Sequence, residues 1–192
     1  HIAGKGKPQP ECVQDVRRAL EDKNVDVLSI ATPNHWHALM TIWGCQAGKD
    51  VYVEKPMCHN ALEGQVAVEA ANRYKRVVQH GTQQRSDRGW ASAVAAIRSG
   101  KLGKTQLIRG LCYKGRGSIG FKPIEQPPKE LDFNLWLGPA PPTPYQPNLL
   151  HSIWRWWYSF GCGDMGNDGV HDIDVALWGL GVSTHPSRVT CL

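Results

Sequence analysis

The chain has no run of 18 apolar residues, so no transmembrane helix and no membrane partner are expected. It has no C-x-x-C pair. Its six cysteines, Cys12, Cys45, Cys58, Cys112, Cys162 and Cys191, lack the tight spacing of a zinc site, and no metal is expected. They read as buried free thiols, which favours a reducing, cytoplasmic compartment. It has no G-x-S-x-G, so a serine nucleophile elbow is excluded. Internal repeats and low-complexity tracts are also missing. Charge of one sign is scarce: 22 Lys and Arg against 17 Asp and Glu leave +5. The basic residues are scattered rather than striped, so nucleic acid is not an expected partner, whereas an anionic small ligand suits the charge. No signal peptide is visible, and with His1 in place of Met an export signal would have to precede residue 1. What is present, 192 residues at 41% hydrophobic and 20% charged, excludes a disordered chain and suffices for one domain or most of two small ones.

Residues 1–9 read as loop. Glu11 to Asp22 carries a helical stripe of Val13, Val16 and Leu20. Val25 to Ala31 has the apolar pattern of a strand buried on both faces. His35 to Ala47 reads as helix, with Gly48 at its stop. Asp50 to Val53 is a second strand. Asn60 and Glu63 form a capping box for a helix reaching Tyr74, and Arg76 to Gln79 is a third strand. Residues 11–80 thus alternate α-β-α-β-α-β, the pattern of an α/β, doubly wound, Rossmann-like parallel sheet.

The pattern changes near residue 85. Ala91 to Ser99 is a short helix, and Lys104 to Lys114 reads as a long strand. Residues 115–150 hold eight prolines and no strong period, as expected of a functional loop or one packed over a surface. Asp168 to Gly179 is helical, and Ser187 to Leu192 looks like the start of a strand. The expected division is 1–85, a partial dinucleotide-binding unit, and 86–192, part of an α+β substrate and oligomerisation unit.

Several motifs could carry chemistry. Gly115 to Gly120 is a literal G-x-G-x-x-G, but a proline-rich loop follows it instead of the helix a dinucleotide requires. Gly161 to Gly166 matches too and precedes a helix, but it puts Asp164 where the anion would sit; it reads as a tight approach to a site wall. Thr32-Pro33-Asn34-His35-Trp36-His37 follows the first strand, at the end where open α/β sheets hold ligands. Asn34 is expected to cap the next helix and leave its amides facing a ligand. His35 and His37, two apart, diverge on a helix and make a poor metal pair. Glu54-Lys55-Pro56 follows the second strand. Pro56 holds Lys55 extended and allows a cis bond. Lys55 reads either as a surface lysine of a turn or, partly desolvated at the mouth of the sheet with a lowered pKa, as a base. Asn167, His171, Asp174 and Trp178 fall on one helical face. Trp154, Trp156 and Trp157 suit either sugar stacking or a core or interface, with the latter favoured.

These pieces, in this order, resemble the Gfo/Idh/MocA family of NAD(P)-dependent oxidoreductases. The residues that carry the resemblance are Val27 to His35, Glu54-Lys55-Pro56, and Gly163 to Trp178 with Gly169-x-His171-x-x-Asp174. It implies an N-terminal dinucleotide domain and a C-terminal α/β domain whose sheet lies open to a sugar or polyol substrate. Lys55 would be the acid/base, and His171 would bind or deprotonate the substrate hydroxyl. Thr32, Pro33, Asn34, His37, Glu54 and Gln83 would line NAD or NADP, and Asn167, Asp168 and Trp157 would meet the substrate. It further implies homo-oligomerisation through the open sheet face. A glycosidase that oxidises the sugar transiently, and a non-catalytic sugar-binding or assembly protein, are alternatives on the same scaffold. Two departures stand out. Where the family often has Asp, four residues before the histidine, stands Asn167, which cannot take up a proton; Asp168 points about 100° away on an ideal helix. The first β-α-β, with its glycine loop and ribose-binding acid, and most of the second domain's sheet are not found in this chain.

Overall fold

The computed structural model describes residues 9–190. Three strands, β1 (Val27–Ile30), β2 (Asp50–Val53) and β3 (Val78–His80), form a parallel sheet in the order β1-β2-β3. Leu28 pairs with Val51, and Val51 with Val78. Each crossover carries a helix, α2 (Asn34–Gln46) and then α3 (Ala61–Tyr74), and the two pack side by side. Parallel neighbours need such crossovers, and two of the same hand in succession place both helices on one face. That face holds the first core: Leu28, Ile30, Val51 and Val53, with Leu20, Met40, Met57 and Val78 around them. Gly44 lets α2 approach the sheet. A Cβ there would fall 2.9 Å from both Leu28 Cδ1 and Val51 Cγ2.

The sequence's α-β alternation is therefore present, with four corrections. The β1 strand is not enclosed on both faces: Leu28 and Ile30 are buried while Val27 and Ser29 are exposed. It lies at the sheet edge, and α2 covers its inner side. The first helix, α1 (Val16–Glu21), begins five residues late, because Asp15 caps it by accepting from the Arg17 N–H at 2.9 Å. Lys104 to Lys114 forms no strand, since among the described residues no neighbour offers a ladder; it passes beside the last helix, where Ile108 reaches Gly179 and Gly110 lies against Asp172. Residues 187–190 likewise form no strand with any of the described residues, and residues 191–192 lie outside the described range.

The α3 cap matches its expected form. Asn60 Oδ1 accepts from the Glu63 N–H at 3.0 Å, and Glu63 accepts from Asn60 Nδ2 at 2.8 Å and from the His59 N–H at 2.9 Å. Asn60→Ala is expected to cost about 1 kcal/mol, read as a lower denaturant midpoint with an unchanged slope.

Beyond β3 come α4 (Arg88–Arg98), α5 (Phe133–Leu137) and α6 (Val170–Leu180). The later part of the proline-rich stretch builds a second core of Tyr145, Leu149, Trp154 and Phe160, flanked by Phe133, Trp136 and Trp157. This core seats on the first turn of α2. Trp36 Nε1 donates to Trp136 O at 3.1 Å, and His35 Nε2 lies 3.1 Å from the same oxygen.

Candidate active site

The carboxyl ends of β1, β2 and β3 lie side by side and deliver Thr32-Pro33, Glu54-Lys55 and Gly81 to Gln83 to one end of the sheet. Glu54 ties two of these ends together. Its Oε1 accepts from Gln83 Nε2 at 2.9 Å, and its Oε2 accepts from the Lys55 N–H at 3.2 Å. Gln83 also donates to Tyr52 Oη at 2.8 Å. The backbone of Gly81 lies within this knot, and a Cβ on it would come 3.0 Å from Gln83 Nε2 and 3.1 Å from Glu54 Oε2.

Lys55 precedes a cis Lys55–Pro56 bond. Its Nζ donates to the backbone oxygen of Asn167 and to Asn167 Oδ1, the latter at 3.2 Å. Asn167 sits in a π-helical turn, Met165–Gly169, that runs directly into α6. Such wide turns recur at functional sites because they re-aim side chains that an α-helix would spread around its axis. Here the turn corrects the placement of Asp168. Instead of facing away, its Oδ2 accepts from Asn167 Nδ2 at 3.2 Å and its charge reaches Lys55. Four residues past Asn167 comes His171, whose Nδ1 is buried with no partner among the described residues. Lys55 and the turn that leads into His171 therefore share one side of the molecule.

The electrostatics of this cluster follow from burial and pairing. Burial pulls the Lys55 ammonium below its ordinary pKa of 10.5; Asp168 opposes this and Arg155 adds to it. A hydrogen bond from Lys114 Nζ, at 2.5 Å, holds the Asp168 carboxyl below its ordinary range. Arg116 spans Asp164 and Asp168, each at 3.1 Å. On the far side Arg85 makes a two-pronged pair with Asp174, at 2.7 and 2.8 Å, so Asp174 is engaged there rather than on His171. Burial also lowers the pKa of His80, at the end of β3, whose Nε2 is a second enclosed nitrogen without a partner among the described residues.

Other expected residues take different positions. Asn34 does not cap α2; Pro33 holds that place, and Asn34 Oδ1 accepts from the Cys162 N–H at 3.4 Å. The His35 N–H, expected to face a ligand, donates to Phe160 O at 3.3 Å. The end of the second core, Phe160 to Cys162, has closed over this helix end. His37 is not a wall of the cleft. It is 1% exposed, with Nδ1 2.6 Å from Pro56 O and Nε2 2.7 Å from Thr32 O, so it ties the β1 end to the lysine loop from inside. Trp157 packs on the second core and donates to Asn148 O at 3.2 Å; one edge of it lines a cleft with Trp156 and Tyr158. Thr32 and Pro33 flank a small cleft with Trp36, Met40 and Leu131, and Pro33 also lines a separate cavity of about 840 Å³ with Ala31, His151, Trp154 and Arg155.

Arg155, Lys114, Arg116, Tyr52 and His80 were not legible as site residues. Arg155 had one available signal, a lone cation in a run of three tryptophans. Lys114 and Arg116 come from a segment about fifty residues before the carboxylates they pair with, whereas Tyr52 and His80 lie in the strands that lead to Glu54 and Gln83. Among the described residues no group of three or more His, Cys, Asp and Glu is set to hold a metal, and no helix is long and apolar enough to cross a membrane.

A parallel sheet whose strand ends gather a half-buried lysine and a glutamate, facing a histidine-bearing helix, defines a nucleotide-type α/β oxidoreductase scaffold. Residues 6–82 match the model of the oxidoreductase family's NAD-binding Rossmann fold, and residues 107–191 match that of its C-terminal alpha/beta domain. The chain belongs to the Gfo/Idh/MocA family. It is similar to inositol 2-dehydrogenase of Salmonella paratyphi B, 33% identical over 100 residues, which cover 52% of this chain and 30% of that protein. It is also similar to levoglucosan dehydrogenase of Pseudarthrobacter phenanthrenivorans, 31% identical over 168 residues, 87% of this chain and 36% of that protein. Among solved structures, aldose-aldose oxidoreductase of Caulobacter crescentus superposes with a TM-score of 0.59 at 19% identity, over 85% of this chain and 40% of its own, a likeness of fold. The chain spans about a third of the length of these curated relatives.

Proposed function

We propose that the protein containing this chain is an NAD- or NADP-dependent oxidoreductase acting on a CH–OH carbon of a sugar or polyol. The observation that carries it is Lys55, at a strand end, anchored on the turn that leads into His171. The names of its relatives, dehydrogenases of inositol and levoglucosan, support the substrate class.

The residues present fit a nicotinamide. His171 and His80 each offer an enclosed nitrogen with no protein partner among the described residues, and the missing side chain of Gly81 lets those of Glu54, Gln83 and Tyr52 gather at the sheet end. Thr32, Pro33, Glu54 and Gln83 would flank it, and His37 would hold two of those loops in place. When bound, the nicotinamide supplies the hydride acceptor. Lys55, as the neutral amine favoured by burial, takes the hydroxyl proton and becomes ammonium, which Asn167 and Asp168 accommodate. His171 orients the hydroxyl. Asn167 positions the amine and carries no proton itself. Of the described thiols, all expected to be buried, only Cys45 is; Cys58 and Cys162 are partly exposed and Cys12 and Cys112 exposed, and unpaired thiols of this kind support a reducing, cytoplasmic setting, while the exposed Ile173, Leu177 and Leu180 of α6 support contact with a second copy.

The test is net cofactor reduction. The full-length protein with NAD or NADP and a panel of polyols and sugars is expected to produce absorbance at the reduced-nicotinamide band in proportion to substrate consumed. Substrate conversion without accumulation of reduced nicotinamide would instead identify the transient-oxidation glycosidase, and binding without conversion a sugar-binding protein.

A further inference from the structure

Two nitrogen donors meet on one neutral oxygen. Lys55 Nζ and Arg155 Nε each lie 3.2 Å from Asn167 Oδ1. Among the described residues neither is paired with a carboxylate; the carboxylates nearby, Asp164 and Asp168, are taken by Arg116 and Lys114. An amide oxygen carries only partial charge, so the half-buried Arg155 guanidinium is left there without a countercharge, where solvent screens it less than at the surface.

The other contacts of Arg155 are uncharged as well. Its Nη1 donates to Ser152 O at 3.1 Å, and the guanidinium carbon lies 4.4 Å from the centre of the Trp154 ring. Trp154 is buried in the second core, so the aromatic face fixes the plane of the fork. A guanidinium held flat is pre-organised for a two-oxygen anion in a way an ammonium is not. Arg155 lines the cavity of about 840 Å³ at the carboxyl end of β1, which is large enough for a monosaccharide derivative.

We propose that this cavity selects a substrate bearing an anionic group, a carboxylate or a phosphate, seated on Arg155: an acidic sugar or a sugar phosphate in preference to a neutral polyol. The position of the reacting carbon beside Lys55 rests on the oxidoreductase reading, whereas the anion site does not. Arg155 is then the specificity-determining residue, and its charge is neutralised only when the correct ligand is bound.

Calorimetric titration of the full-length protein with glucuronate, galacturonate and glucose 6-phosphate, each against its neutral parent sugar at matched ionic strength, tests this. At least one anionic sugar is expected to bind about tenfold or more tightly than its parent, a difference typical of one charge-assisted recognition element. The uronates and the phosphate distinguish the two sources of the charge. In Arg155→Gln the ratio is expected to fall to about one. Parity in the native protein, no binding by any of the three anions, or a ratio that survives Arg155→Gln overturns the proposal. Should Arg155→Gln not fold by circular dichroism, added KCl decides on the native protein: the ratio is expected to shrink as salt screens the site, and a ratio indifferent to salt overturns it. No nicotinamide enters the measurement. Anion preference without cofactor reduction keeps this site and removes the oxidoreductase reading, and cofactor reduction without anion preference does the reverse.

Discussion

Lys55→Met is expected to lower kcat of the full-length enzyme by about 10²–10⁴-fold, the span usual for loss of a positioned acid or base. The thioether keeps the length and most of the packing of the lysine stem and removes only the amine. Cofactor binding, measured by nicotinamide fluorescence, should persist, because Glu54 and Gln83 are held by each other and by Tyr52 and not by the Lys55 ammonium. The pH profile gives a second readout. A base must be unprotonated to act, so kcat/KM for alcohol oxidation rises with pH through the Lys55 pKa. Burial is the largest influence and lowers that pKa, Asp168 raises it and Arg155 lowers it. The rise is therefore expected below the ordinary lysine value of 10.5 and should vanish in Lys55→Met. Turnover unchanged by the substitution would remove Lys55 from the chemistry.

The second large effect is expected at a residue that touches no ligand. His37→Leu deprives Thr32 O and Pro56 O of their ring partner in a place with almost no solvent. Each buried carbonyl left unpaired costs about 1–3 kcal/mol. Equilibrium denaturation should report a destabilisation of that order, the loss of at least one such hydrogen bond, far beyond a surface change. The same two oxygens belong to the loops that carry Thr32-Pro33 and Lys55-Pro56, so kcat should fall in whatever fraction stays folded. A stability within about 0.5 kcal/mol of the native protein, the scale of ordinary surface substitutions, would show that the imidazole is not holding the loops.

The order of elements was legible because each depends on neighbours in the chain. The apolar runs at Val51 and Leu28, the capping box at Asn60 and Glu63, and the helix over Asn34 to Gln46 all follow from short-range periodicity and local hydrogen bonds. Motifs at strand ends were legible for the same reason: a strand's end is known once the strand is known. What failed depended on partners far away. Lys104 to Lys114 has the composition of a strand, but composition supplies no second strand to bond with. Asn34 has the chemistry of a cap, but the Cys162 N–H, 128 residues later, claims its oxygen. Asp168 was expected to face away because an α-helix was assumed, and the π-helical turn at Met165–Gly169 changes the angle.

By itself the sequence determined the sheet's strand content and the placing of Lys55 at a strand end, since backbone pattern and proline geometry act within a few residues. Tertiary structure alone decided which charges are paired and which are not. Arg155, twelve residues before Asn167 and a hundred after Lys55, meets both only because the second core folds the tryptophan run against the start of α2. Coulomb energy depends on distance and burial in space, and neither quantity is written in the spacing of residues along the chain.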